Sequence, residues 1–182
     1  HQMDIARWGL GKQELPQSVV GFGGRFGYID DGETPNSHVA VCDYGDSQLI
    51  FETRGLETKK YRNAGVGVVF HGTEGYVVLT SYTRGAAFDL DGNKIQDFTG
   101  GGDHFGNFIQ AVRSRNPKDL NAEILEGHLS SALCHTGNIS HRVGKDASVE
   151  DIRDFVKKDA SGLEAVNRMV DHLAVKNEVD LK

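Results

Sequence analysis

The sequence is short of basic residues, of cysteines and of long apolar segments. It has 20 lysines and arginines against 26 aspartates and glutamates, which gives a net charge of −6. No basic stripe with interleaved aromatic residues occurs, and this excludes a protein that binds a phosphate backbone. No apolar run approaches the roughly 20 residues of a membrane-spanning helix. We therefore expect neither a nucleic acid nor a membrane as partner.

The two cysteines, Cys42 and Cys134, lie far apart in the sequence and outside any metal-ligand spacing. A disulfide and two separate thiols are both compatible with this count. Two buried thiols are the favoured interpretation, because free cysteine is commonly buried. No metal site is predicted.

Glycine is abundant by contrast. Most of the 23 glycines fall between Gly9 and Gly106, where strands and tight turns are expected. The chain of 182 residues is long enough for one domain with a hydrophobic core. Its ends show no termination pattern, so we expect both to be internal to a longer protein.

The hydrophobic pattern changes its period along the chain. Met3, Ala6 and Leu10 form one helical stripe, and from Ser18 onward the period becomes two, which is typical of strands. The pair Asp91–Gly92 favours a tight hairpin turn over a calcium loop, because the distal glutamate of such a loop is missing. The predicted strands cover 18–28, 38–44, 48–54, 65–70, 76–82, 86–90 and 94–98.

The second half of the chain is predicted to be helical. Asp103 can cap one helix, and the longest helix follows with an apolar stripe from Leu125 to Val143. Capping boxes are predicted at 148–151 and 161–164. Strands followed by helices indicate an α+β fold, with a large open, mainly antiparallel β-sheet and helices packed on one face.

The glycine-rich segment Gly21–Gly27 is not a dinucleotide fingerprint. Its spacing is G-x-G-G-x-x-G, and a strand rather than a helix is predicted after it. Glycines in a strand more often mark a close approach by a ligand or another backbone. Arg25 lies among them, and a substrate-binding arginine and an ordinary surface arginine are equally compatible with that position.

Three other side chains are candidate site residues. His1 lies three residues before Asp4 on a predicted helix, where it could be a general base or an ordinary capping histidine; the residues alone favour the latter. His104 and Asn107 share the polar face of their helix.

A histidine-rich polar stripe on the longest helix indicates a solvated face, a wet pocket or an interface rather than zinc. Its members are His128, Ser131, His135, Asn138 and Arg142.

Five segments follow one another in a recognisable order between His1 and about Gly144. They are HQMDIARWGLG, GGRFGYIDDGETPN, VVFHGTEGYVVL, DHFGNFIQAVRSRNP and EGHLSSALCHTGNISHRVG. In this order they resemble the C-terminal domain of the glucose–fructose oxidoreductase/inositol dehydrogenase/MocA family. The resemblance implies that residues 1–182 form a substrate-binding and oligomerisation domain, without the Rossmann domain that carries NAD or NADP in the family.

The resemblance also implies a chemistry. Family members transfer a hydride between the nicotinamide cofactor and a sugar or cyclitol carbon, and His1 occupies the position of the catalytic histidine. Arg25, His104 and Asn107 become candidates for binding the polyol or sugar. The chain alone is expected to bind no cofactor and to be inactive, and the open sheet face is expected to pair in a homo-oligomer.

Two other functions stay open. One is a non-catalytic carbohydrate-binding or association module, which has the fold without the chemistry. The other, a β-binder of cupin or lipocalin type, is disfavoured because the second half of the sequence is helical.

Overall fold

The computed structural model describes residues 1–181, which divide into two units. Unit 1 consists of His1–Gln13 and Lys59–Ser131, and unit 2 of Glu14–Thr58 with the chain from Ala132 on. The helices are α1 (Gln2–Gly9), α2 (His104–Ser114), α3 (Ile124–Val143), α4 (Val149–Val156) and α5 (Ala160–Val170), with a 3₁₀ turn at Pro117–Asp119 and a π-helical segment at Asp171–Lys176. The strands are β1 (Ser18–Gly24), β2 (Ser37–Asp43), β3 (Gln48–Arg54), β4 (Val68–His71), β5 (Gly75–Ser81), β6 (Arg84–Asp89) and β7 (Lys94–Thr99).

Unit 2 is built on a three-stranded antiparallel sheet in the order β1-β2-β3. Val20 pairs with Val41 and Phe22 with Val39, so these apolar side chains share one face. Helices α4 and α5 cover that face. The core there consists of Phe22, Val39, Val41, Val156, Ala165, Val166, Met169 and Leu173.

The second half of α3 lies against the opposite face of the same sheet. A Cβ added to Gly137 would lie 3.2 Å from the Cβ of Ala40, and Ser140 Oγ accepts a hydrogen bond from the backbone N–H of Gly21 at 2.9 Å. The central strand β2 is therefore buried from both sides, where the sequence predicted helices on one face. On β2, Ala40 and His38 lie against α3 around Gly137, whereas Val39 and Val41 pack in the core with α5.

Unit 1 contains a four-stranded antiparallel meander in the order β4-β5-β6-β7. Helix α1 contacts β4, with Gly9 against the ring of Phe70. The hairpin between β6 and β7 closes at Gly92, whose φ is +86°, and Asp89 Oδ1 accepts from the backbone N–H of Asn93. The outer strand β7 is exposed along its whole length.

The predicted α+β fold with antiparallel strands is confirmed, but the strands form two open sheets of three and four strands rather than one large sheet. Residues 55–67, which connect β3 to β4, contain an isolated bridge between Tyr61 and Ala64 and no named strand. Among residues 1–181, no helix has both the length and the apolarity of a membrane span.

Two of the three predicted helix caps are confirmed. Asp103 accepts from Gly106 N at the start of α2, and Ser148 with Asp151 forms the capping box of α4. The capping box predicted at 161–164 is wrong, since α5 begins earlier and Asp159 accepts from Gly162 N. Glu164 instead forms an ion pair with Arg168 one turn along.

The buried face of α3 differs from the predicted apolar stripe. Leu129, Leu133 and Gly137 are buried, whereas Leu125 and Val143 are exposed. Small and polar residues face the protein because the neighbouring elements approach this helix closely. Apolar periodicity alone therefore selected the wrong face at both ends of α3.

Both cysteines are free thiols, Cys42 buried and Cys134 exposed. The prediction of free thiols is confirmed, and burial is wrong for Cys134. Burial, with the nearby Cys134 as a second cause, raises the pKa of the Cys42 thiol to about 11.

Replacing Gly21 by alanine should destabilise unit 2 by about 1–3 kcal/mol, because an extra methyl group cannot enter this closely packed face. The added Cβ would lie 2.6 Å from Nε2 of His38 and 3.0 Å from the carbonyl oxygen of Gly137. Urea unfolding followed by circular dichroism measures the loss.

The matched control for this change is Gly127→Ala on α3. Nothing lies within 4 Å of the Cβ that it adds, and alanine is a better helix former than glycine, so a gain of about 0.5–1 kcal/mol is expected. A Gly21→Ala variant as stable as the unaltered chain would contradict the close approach of β1 and α3.

Candidate functional site

His1 stands at the N-terminal end of α1 in unit 1. It is the N-cap residue, its carbonyl oxygen accepts from Ile5 N at 3.0 Å, and its side chain makes no capping hydrogen bond. The exposed imidazole ring meets the ring of Tyr82 edge-on, with 5.6 Å between ring centroids. The bond from Ile5 N is the first intrahelical bond, and the imidazole does not make the capping bond that the residues alone favoured.

The Asp4 carboxylate contacts Ser130 and Arg7. It accepts a hydrogen bond from Ser130 Oγ, and Oδ1 lies 3.7 Å from Nη2 of Arg7. Asp4 therefore pairs with Ser130 and Arg7.

Arg7 is the centre of a buried polar network between α1 and α3. Its exposed fraction is 0%, and Nε donates to Ser130 Oγ at 3.0 Å while Nη1 donates to the carbonyl oxygen of Lys12 at 2.8 Å. Nη2 donates to the Glu126 carboxylate. We call Asp4, Arg7, Glu126 and Ser130 the α1–α3 clamp.

The Glu126 carboxylate joins a second side chain of α1. Oε2 accepts from Trp8 Nε1 at 3.2 Å as well as from Arg7. The hydrogen bond from Arg7, followed by the charge of Arg7 and the bond from Trp8, lowers the pKa of this carboxyl group. Glu126 is therefore an ionised acceptor at neutral pH.

Sequence reasoning did not find Arg7 or its partners Glu126 and Ser130. These partners lie 119 and 123 residues further along the chain. A local pattern carries no signal for such a pair. The one signal in the sequence for a buried polar network was an arginine on a short helix with an apolar stripe.

His104 and Asn107 lie on α2 of unit 1, three residues apart. His104 is exposed and its ring lies 4.1 Å from that of Phe105. The Asn107 amide donates to the carbonyl oxygen of Asp119 at 2.6 Å and accepts from Asn121 N at 3.1 Å. Asn107 thus holds the turn after α2.

Arg25 belongs to unit 2, in the loop that follows β1. It donates to the carbonyl oxygen of Thr34 at 2.6 Å, forms an ion pair with Asp30, and lies 5.8 Å from the ring centroid of Tyr28. Its guanidinium group closes the 25–36 loop. Arg25 belongs to unit 2 and His104 to unit 1, and a pocket shared by the two residues stays a prediction.

Within unit 1, no described hydrogen bond or ring contact joins His1 with His104 or Asn107 among residues 1–181. The roles assigned to His1, Arg25, His104 and Asn107 therefore stay predictions.

The glycine-rich segment does not fit the pyrophosphate of a dinucleotide. Gly21–Gly24 are strand residues paired with β2, as predicted, and a loop leads from them to another strand rather than to a helix N-terminus. A pyrophosphate cradle needs backbone N–H groups at a helix start.

A second buried polar cluster lies in unit 2, on the face of the sheet that α3 covers. His38 is 7% exposed, its ring meets that of His141 edge-on at 5.8 Å, and its Nε2 has no hydrogen-bond partner among the described residues. Burial, with the charge of His141 second, lowers the pKa of His38 to about 4. His38 is therefore neutral near pH 7.

Comparison with known proteins finds no matching family model and no matching curated protein. Solved structures do match. A proposed oxidoreductase from Klebsiella pneumoniae has a TM-score of 0.56 at 18% identity over 87% of this chain and 51% of its own. A proposed oxidoreductase from Bacillus subtilis has a TM-score of 0.55 at 12% identity, over 77% of this chain and 46% of its own. One from Thermotoga maritima has a TM-score of 0.53 at 17% identity, over 79% of this chain and 43% of its own.

These likenesses show a shared fold. The chain has the fold of part of several proposed oxidoreductases, and it spans about half the length of the structures that it matches.

Proposed function

We propose that this chain is the substrate-binding part of an NAD(P)-dependent oxidoreductase that acts on a sugar, cyclitol or related polyol. The observation that carries the proposal is the fold match to a proposed oxidoreductase over 87% of the chain. The five segments that resemble the glucose–fructose oxidoreductase/inositol dehydrogenase/MocA family point the same way and supply the substrate class.

The nucleotide would be held by a part of the parent protein outside this chain, since the glycine-rich segment does not fit it. When bound, it would accept or supply the hydride. This chain's own residues would bind the polyol and manage the hydroxyl proton. His1 is suited to the second task, because imidazole exchanges protons near neutral pH and its ring is exposed.

The alternative, a non-catalytic association module, has one observation in its favour. The four-stranded sheet leaves large apolar side chains exposed, among them Ile95 at 65% and Phe98 at 40%. Exposed apolar surface of this kind commonly marks an interface. We propose that it pairs in a homo-oligomer in either case, so the two functions differ in turnover and not in association.

The parent protein, incubated with NAD⁺ or NADP⁺ and a panel of sugars and cyclitols, should form the reduced cofactor with at least one of them. Absorbance at 340 nm measures the turnover. The chain of 182 residues alone should show none, and calorimetric titration with NADH should give no micromolar binding. A parent protein that binds sugars without reducing the cofactor would favour the association module.

A further inference from the structure

We propose that Arg7 is a positioning residue for His1, and that it acts through the α1–α3 clamp. The inference rests on the proposed function, because it assumes that the place of the His1 ring matters to a reaction. It assigns a role to a buried network that the resemblance does not account for.

Helix α1 needs outside contacts to hold its place. In proteins most of the stability of a helix comes from tertiary packing rather than from intrinsic propensity. Met3 at 3% exposure and Gly9 against Phe70 supply apolar contacts. These contacts are not directional, so they leave the rotation of the helix about its axis weakly defined.

Arg7 supplies the directional contacts. Burying a charged group is costly unless it is paired and hydrogen-bonded, and all three guanidinium nitrogens of Arg7 have acceptors. These are Ser130 Oγ, the Lys12 carbonyl oxygen and Glu126. Because the guanidinium group is planar and its donors diverge in a fixed fork, these bonds allow one rotation of α1 against α3.

Ser130 links Arg7 to Asp4, which lies closer to His1 along α1. Its hydroxyl accepts from Arg7 and donates to Asp4, so one side chain of α3 holds two successive turns of α1. Asp4 lies three residues from His1, on the same helix face. The imidazole, which makes no capping bond, keeps its place against Tyr82 through the helix that carries it.

Proton transfer is sensitive to such placement, since a displacement of about 1 Å can cost about a hundredfold in rate. Ser130→Ala in the parent protein should therefore lower kcat by about 10- to 100-fold with KM nearly unchanged. The acid limb of the rate–pH profile should persist, because the base is still present. Ser131→Ala is the matched control: Ser131 is exposed and its hydroxyl donates to the carbonyl oxygen of Gly127 on the same helix, so kcat should be unchanged.

Arg7→Lys provides a second variant, which keeps the charge and loses the fork. Like Ser130→Ala, it should lower kcat and leave KM nearly unchanged. A lowered melting temperature with unchanged kcat in both variants would overturn the inference, because the clamp would then be structural alone.

The proposed function fails by a different result. If His1→Ala leaves kcat unchanged, there is no proton-transfer role, and positioning by Arg7 falls with it. If His1→Ala is impaired and Ser130→Ala is not, only the positioning inference fails.

Discussion

His1→Ala in the parent protein should lower kcat by about 10²–10⁴-fold, with a smaller change in KM. Oxidation of an alcohol by hydride transfer leaves an oxygen whose proton must be taken up during the same event, and general-base assistance is worth a factor of that size. The loss should appear in kcat, because the interaction is made in the transition state and not in substrate binding. Steady-state kinetics with the substrate found in the panel measures it.

The same variant should change the pH dependence. The acid limb of the rate–pH profile, where the base becomes protonated, should vanish with the imidazole. The matched control is His128→Ala, an exposed histidine on α3, which should leave both kcat and the profile unaltered. A His1→Ala enzyme with near-normal kcat would show that His1 only begins a helix.

Local features of the fold could be predicted from the sequence because neighbouring residues determine them. Asp103 caps α2 through Gly106, three residues on, and the β6–β7 hairpin closes through Asp89 and Gly92. The period of two predicted all seven strands in place, with ends that differ by a few residues. At α5 two caps competed, and Asp159, two residues before Ser161, starts the helix.

Long-range features could not be predicted in this way. The division into two sheets and the burial of β2 from both sides depend on which elements approach each other. Gly137 is buried because Ala40 and His38 lie against it, and no window of α3 contains those residues. The clamp on Arg7 has the same origin.

The site residues show the same contrast between local and long-range contacts, while their roles stay predictions. The helix predicted over the first residues is present as α1, because an apolar stripe at helical spacing is a local property. Arg25 and Asn107 have hydrogen-bond partners in nearby turns, such as Thr34 and Asp119, whose backbone acceptors leave no mark in a sequence. His38 was overlooked, since a histidine in an apolar strand gives no sign of a missing partner.

Lowering the pH from 7.5 should reduce the free energy of unfolding through His38, by about 2 kcal/mol at pH 5 and by about 3 kcal/mol at pH 4. The ordinary histidine pKa of 6.5 applies to the unfolded chain, and the folded value is about 4. Between these values the unfolded chain binds more protons than the folded one. The stability contribution is therefore complete above pH 6.5 and is lost as the pH falls toward 4.

Burial is the physical cause. His38 is 7% exposed, and a charge on its ring would have no partner at Nε2 while facing His141. Gly21 and Gly137 close the space around the ring, so water has little room to solvate a cation there. His172 acts in the same direction, because burial and the charge of Arg54 lower its pKa, and some acid sensitivity will remain without His38.

His38→Gln tests this account, because glutamine is polar and does not titrate. Between pH 7.5 and pH 5, the free energy of unfolding of the variant should fall by about 2 kcal/mol less than that of the unaltered chain. Urea unfolding at each pH measures this difference. His135→Gln, at an exposed position of α3 in the same unit, should keep the full acid slope. Equal slopes for His38→Gln and the unaltered chain would mean that His38 accepts its proton without unfolding, as it could if the second half of α3 moved away from β2.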